Sequence, residues 1–376
     1  MNLLINACLH IGGGLQVADS FIRELVNYPE NEYIVIISNE VKELLEPLKI
    51  FPQNFTFINI PYSKPSLVRI ISARYNLFDN IVKKYKPDVA FTIFGPAYWK
   101  PKNIPHICGF AKSQYIYTSS PFFKEMTKFN FIKLKIKGFF QKYSFKRDAQ
   151  TYITENEDVS KRLQKILTKH KIYTVTNYYN QVFDNENLQQ EFVLPKFNGI
   201  TLLTITSKYP HKNIKLIRPT AEFLINRYPN FKFRFVVTLS DEDFGYNKNN
   251  IPNWLLPIGK VKVYQCPSLY KQSDFMFLPT LLECFSASYP EAMKMQKPIL
   301  TSDLPFAHGL CGNAAEYFNP ILSEDIAEKI YNLAQNKERQ KELIENGLKQ
   351  LTVFDDYEQR AKKYLNIIKK IVEEKV

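Results

Sequence analysis

The segment "TLLECFSASYPEAM" (280–293) sets two carboxylates, Glu283 and Glu291, eight positions apart among apolar and small residues. Glu283 falls just after the short apolar run "FMFLPT", and Glu291 a turn or two into the helical pattern that follows. A carboxylate at the carboxyl edge of a sheet can accept paired hydrogen bonds from vicinal hydroxyls, as an acid does on a ribose. Cys284, Ser286, Ala287 and Ser288 are small enough for backbone amides to face a ligand. A glutamate near a helix start can instead complement the helix dipole, for a few tenths to about 1 kcal/mol. That explanation serves Glu283 and leaves Glu291 unexplained.

Two other stretches carry groups suited to an anion. "TITSKYPHKNIKL" (204–216) leaves a strand and enters a helix around Asn213, with Lys208 and Lys212 at the strand's carboxyl end. Two ammonium groups there suit a diphosphate, each charged hydrogen bond contributing about 1.5–3 kcal/mol. In so lysine-rich a chain they also read as a solvated pair. The second stretch, "HIGGGLQVADSFIREL", runs from a strand through Gly12, Gly13 and Gly14 into a helix. Without Cβ atoms, backbone N–H groups and the positive helix end can approach an anion closely. Val17 breaks the G-x-G-x-x-G spacing, so the loop does not read as a dinucleotide fingerprint.

These groups need rigid elements to hold them. At 376 residues and 44.1 kDa, with 45% hydrophobic and 23% charged residues, the chain is long enough for two globular domains. Short apolar runs alternate with helical patterns, which predicts parallel α/β architecture. Strands are expected at 3–9, 33–38, 55–60, 89–93, 105–110 and 151–155, then at 199–207, 231–239, 275–280, "KPILTSD" and "AEYFNP". Periodicity fails between about 178 and 198, in an Asn/Gln-rich stretch that reads as a boundary. The last stretch, 357–376, is a strongly patterned helix with no strand after it. The pattern reads as two Rossmann-like units in series.

The five cysteines are scattered and lack metal-ligand spacing, which argues for reduced thiols. No apolar run approaches the roughly 18 residues of a membrane-spanning helix. No basic residue precedes Arg23, so the start reads as a strand and not a secretory leader, and a cytoplasmic place is expected. The net charge is +13. Much of the basic excess falls in 122–150, where Phe129, Ile132, Ile136, Phe139 and Tyr143 recur at helical spacing among lysines. Such a helix can lie peripherally on an anionic membrane surface, or pack its apolar face inward with its lysines solvated.

Taken in order, these motifs resemble glycosyltransferase family 4, the retaining sugar-nucleotide-dependent enzymes of the GT-B fold. The E-x7-E pair Glu283 and Glu291, the continuous stretch from Pro279 to Pro320, "SKYPHKN", "TVTNYYNQVF" and "GGG" carry the resemblance. It implies an acceptor-binding Rossmann-like domain at 1–185 and a nucleotide-sugar-binding domain at 186–355, facing across a cleft. A final helix at 356–376 would cross back to the first domain. It further implies that Glu291 binds the ribose hydroxyls and Glu283 the donor sugar, while backbone near Phe285 and Ser286 meets the sugar and diphosphate. Lys208 and Lys212 would hold the diphosphate, Gly13 and Gly14 would close over it, and the loop at Gly259, Lys260 and Val261 would meet the base.

The implied reaction is metal-independent transfer from a nucleotide diphosphate sugar to a glycan or lipid-linked acceptor, in cell-envelope polysaccharide or lipopolysaccharide synthesis. No metal site and no cofactor is expected. There are departures from the family pattern. Cys284 and Ser286 stand where many members have glycine, and the basic pair is four apart where five is commoner. A family histidine falls in register with Phe110 or Ala111. His10 and His106 are the nearby candidates for a base or sugar contact, and a buried, hydrogen-bonded role for His106 is the competing reading.

A GT-B-like nucleotide-sugar epimerase would share the diphosphate loop but need no acceptor. A nucleic-acid-binding protein would use the same basic charge, yet no nucleic-acid motif is present and none is expected as a partner.

Overall fold

The computed structural model describes residues 1–8, 12–60, 67–247 and 250–374. The chain divides into two units. The first comprises Met1–Ile116, Met126–Asn177 and Asp355–Val376; the second comprises Tyr117–Glu125 and Tyr178–Phe354.

In the first unit seven strands form one sheet: β1 (Asn2–Ala7), β2 (Glu32–Ile37), β3 (Phe55–Asn59), β4 (Val89–Thr92), β5 (His106–Gly109), β6 (Thr151–Thr154) and β7 (Lys171–Thr174). Their order is β3-β2-β1-β4-β5-β6-β7, and every pairing is parallel. Parallel strands are covered on both faces, which is why their sequences are near-continuous apolar runs. Successive side chains then go to opposite faces. Leu3, Ile5, Val35 and Ile37 join one core with Phe21 and Tyr364, while Leu4, Ile34 and Ile36 join another with Phe78 and Trp99.

The C-terminal helix Tyr357–Glu373 belongs to this first unit. Asp356 caps it, accepting from the Gln359 amide while the Gln359 side chain reaches back to the Asp356 amide. Its buried Arg360 donates to Ser20 Oγ at 2.7 Å and to Asn177 Oδ1, and the Tyr364 ring meets Phe21 edge-on at 5.1 Å.

The second unit holds β8 (Ile200–Thr204), β9 (Phe233–Val237), β10 (Leu255–Pro257), β11 (Phe275–Leu278), β12 (Ile299–Ser302) and β13 (Ala315–Phe318). Their order is β10-β9-β8-β11-β12-β13, all parallel. Leu202, Phe235, Phe277 and Leu300 pack against Ile217, Ala221 and Leu224 of one helix and Ile326, Ala327 and Ile330 of another. The strand order reverses between β8 and β11, so the crevice where open α/β sheets take ligands lies at the carboxyl ends of these two neighbours.

Two expectations shift. The helix expected around Asn213 begins at Ile217, after two short 3-10 turns, because Asn213 sits at φ 57 and breaks the continuation. The helix Lys128–Asp148 buries Gly138, Gln141, Ser144, Phe145 and Asp148, whereas Phe129, Ile132, Ile136, Phe139 and Tyr143 face outward. Its regular apolar spacing therefore marks the exposed side and not the packed one.

None of the five cysteines forms a disulfide. Among the described residues no helix is long and apolar enough to cross a membrane.

Candidate active site

The carboxyl ends of β8 and β11 bring the predicted lysine and glutamate together. After β8 the chain turns through Pro210–Lys212; after β11 it runs through Thr280 to the helix Ser288–Lys294. The backbone ties these two loops. The His211 carbonyl accepts from the Leu281 amide at 2.7 Å and from Thr280 Oγ1 at 3.1 Å. Asn213 fixes the other side of the turn, its amide donating to the Pro320 carbonyl at 2.8 Å.

On this frame the Lys212 ammonium donates to Glu283 Oε1, and Thr280 Oγ1 donates to the same oxygen at 3.1 Å. The two side chains are only 15% and 12% exposed, so the pair is largely removed from solvent. A partly buried ion pair of this kind is costly to break from one side, because the remaining charge is left uncompensated. His211 beside it stacks on Tyr209 with ring centroids 5.5 Å apart, and burial lowers its pKa.

Glu291 is placed differently. It lies within the helix Ser288–Lys294, whose residues Ser288 to Met293 are all buried, and it is 8% exposed itself. The Tyr270 hydroxyl donates to its Oε2 at 3.0 Å. Burial pushes the carboxyl up from 4.5 to about 7, with the Tyr270 hydrogen bond pulling the other way. Among the described residues no lysine or arginine pairs with it.

Lys208 does not join the Lys212–Glu283 pair. Its side chain is 66% exposed and bonds Asp243 Oδ1 at 2.9 Å, which holds the Asp243 carboxyl below its ordinary range. Ser286 is buried and its carbonyl accepts from the Tyr289 amide at 3.2 Å, while the Phe285 ring meets Phe354 edge-on at 5.9 Å. Val261 is half-buried and lies two positions past Gly259, which sits at φ 72 and so favours glycine.

In the first unit, Gly12 turns at φ 79 and the helix starts at Gly13, with Gly14 in its first turn. A side chain added at Gly13 would meet no described residue within 4 Å.

His10 lies outside the described residues. His106 is completely buried in β5, its Nε2 2.9 Å from Thr92 Oγ1 and its Nδ1 2.7 Å from the Asp148 carbonyl. Burial lowers its pKa to about 4. Both ring nitrogens have partners inside the sheet, in keeping with the buried, hydrogen-bonded reading of His106.

Sequence reading did not find Tyr270 as the partner of Glu291 or Asp243 as the partner of Lys208. Tyr270 lies 21 positions from Glu291 and Asp243 lies in a polar turn, so neither had a motif to mark it. Among the described residues no group of three His, Cys, Asp or Glu side chains is placed to hold a metal ion.

The paired parallel sheets, with their order reversing in the middle, define the GT-B fold. A crystal structure of Anabaena Alr3699/HepE in complex with UDP and glucose matches with a TM-score of 0.68 at 13% identity, over 98% of this chain and 99% of that one. The crystal structure of WaaG, a glycosyltransferase involved in lipopolysaccharide biosynthesis, matches with a TM-score of 0.69 at 13% identity, over 98% and 99% of the two chains. Residues 200–350, within the second unit, match the family model for glycosyl transferases group 1. The O-antigen chain mannosyltransferase RfbU of Salmonella typhimurium is 22% identical over 172 residues. That match spans 44% of this chain and 47% of the relative, about half of each.

Proposed function

We propose that the protein is a retaining glycosyltransferase that moves a sugar from a nucleotide diphosphate sugar to a glycan or lipid-linked acceptor of the cell envelope. The observation that carries this reading is the Lys212–Glu283 pair at the β8/β11 switch, with Glu291 one helix away. This stretch lies within the segment that matches the glycosyl transferases group 1 model. The names of the similar proteins, an O-antigen mannosyltransferase and an enzyme of lipopolysaccharide biosynthesis, support an envelope acceptor.

Each residue has a part in the proposed chemistry. Breaking the anomeric C–O bond leaves negative charge on the departing diphosphate and positive charge on the sugar. Lys212 and Lys208 stabilise the diphosphate, and preorganised cations do so without reorganising water. Glu283 holds Lys212, and an arriving diphosphate shares or takes over that ammonium. Glu283 then faces the donor sugar and Glu291 accepts from the ribose hydroxyls. Backbone near Phe285 and Ser286 meets the sugar and diphosphate, and the Val261 loop meets the base. Gly13 and Gly14 offer backbone amides to the diphosphate.

Thermal shift with a panel of nucleoside diphosphates and their sugars, followed by product analysis, tests this reading. Stabilisation by one nucleotide and transfer of its sugar to an added glycan are expected. Conversion of the donor without any acceptor would make the protein an epimerase instead, and indifference to every nucleotide would remove the donor site.

A further inference from the structure

We propose that the outward face of the helix Lys128–Asp148 docks the protein on an anionic lipid bilayer. The face is unusual in what it exposes. Phe129 is 65%, Ile132 57%, Ile136 57%, Phe139 72%, Phe140 54% and Tyr143 59% exposed. At about 100° per residue these six side chains fall within an arc of roughly 100° along the whole helix. They form a stripe, not a scatter of single residues.

The flanks of the stripe are basic. Lys133 and Lys137 project on one side, and Lys128, Lys135, Lys142 and Lys146 on the other. No acidic residue occurs between Glu125 and Asp148. Asp148 is buried and bonded by Arg147, and Glu125 is paired with Lys215 at 2.8 Å. An apolar stripe between two rows of ammonium groups is the arrangement of a helix lying in a bilayer interface, its rings in the acyl boundary and its lysines at the phosphates.

The helix is also held in this orientation. The Tyr115 ring lies under Gly138, where an added Cβ would come within 3.0 Å of it, and the Tyr115 hydroxyl bonds Gln141. Gln141 in turn donates to the Tyr98 hydroxyl at 2.7 Å, and Phe145 packs on Phe110 at 5.0 Å. Rotating the stripe inward would break these contacts, so the stripe stays outside. Charge complementarity selects the occupant. A zwitterionic surface offers the lysines nothing, whereas an anionic one matches both rows. The docking does not depend on the donor site in the second unit.

Vesicle co-sedimentation of the full chain decides it, with phosphatidylcholine alone and with phosphatidylglycerol added. Binding is expected only with phosphatidylglycerol, weakening at high salt. Lys133→Gln/Lys137→Gln should lower partitioning about 25-fold, from about fivefold per lysine. Phe139→Ser/Phe140→Ser should lower it by about tenfold or more. Neither pair touches the buried side, so thermal stability should hold. The control pair Lys337→Gln/Lys341→Gln, exposed on the second unit, should bind like the unmodified protein. Failure of the unmodified protein to bind overturns the proposal, as does unchanged binding in both face variants. A dimer that the face variants split, without vesicle binding, would assign the stripe to a second copy of the chain.

Discussion

The Tyr270 hydroxyl donates to Glu291 Oε2 across 3.0 Å, and both side chains are buried. The bond stabilises the ionised carboxylate, but burial outweighs it and the pKa rises from 4.5 to about 7. In the native state Glu291 therefore keeps its proton through a range where the unfolded chain has lost it. A raised acid contributes stability that is full below about 4.5 and lost as pH rises through about 7. Glu291→Gln should remove this loss and leave the protein more stable at pH 8, by up to about 3 kcal/mol. Denaturant titrations at several pH values check it; parallel curves for the two proteins would contradict it.

The same protonation bears on the donor. If ribose hydroxyls donate to Glu291, the ionised form binds them, so affinity should rise as pH climbs toward about 7 and level off above it. Well below that value the fall approaches tenfold per pH unit. Glu291→Gln should bind weakly and with a flat profile. Calorimetric titration with a nucleoside lacking phosphate isolates the effect from phosphate ionisation.

Lys212 and Glu283 form one unit. Lys212→Met should cost about 3–5 kcal/mol of stability, because it strands a buried carboxylate. Lys212→Met/Glu283→Gln should regain much of that loss. Turnover should stay low in both, by about 100- to 1000-fold, since the loss of diphosphate stabilisation is not repaired. Recovery of turnover in the double variant would show that the pair only holds the loops together.

Lys208 provides the contrast. It is exposed and its partner is a surface aspartate, so Lys208→Ala should change stability by less than about 1 kcal/mol. Nucleoside diphosphate affinity should drop about 10- to 100-fold while binding of the bare nucleoside stays unchanged. Equal losses for both ligands would place Lys208 away from the diphosphate.

His106 gives a fold-level test with the opposite pH sign. Its pKa is lowered from 6.5 to about 4, so its contribution is present above the first value and lost as pH falls toward the second. His106→Gln should destabilise the protein at pH 7 and reduce the steepness of acid unfolding. Acceptor and donor affinities of the folded variant should stay as they were.

The strands of both sheets were legible because parallel strands, buried twice over, leave unbroken apolar runs such as "YIVII" and "FMFL". β7 and β10 escaped because edge strands need no such run; β7 is at most half-buried and β10 is three residues long. Glu283 and Glu291 were legible as acids in an apolar stretch, and Lys212 by its place after β8. Their partners were not. Tyr270 meets Glu291, and Asp243 meets Lys208, only through tertiary packing, which leaves no periodicity. For the helix Lys128–Asp148 the sequence left two readings open, since an apolar stripe has the same spacing whether it meets a core or faces outward.

Calorimetric titration of nucleoside diphosphates into the unmodified chain, Glu291→Ala and Glu283→Ala decides whether the two acids serve a sugar nucleotide. One nucleotide should bind the unmodified chain, Glu291→Ala should bind it at least tenfold more weakly, and Glu283→Ala should keep most of the affinity while losing transfer. If Glu291→Ala bound that nucleotide as tightly as the unmodified chain, the buried carboxylate would have no place on the ribose and the donor site would have to lie elsewhere.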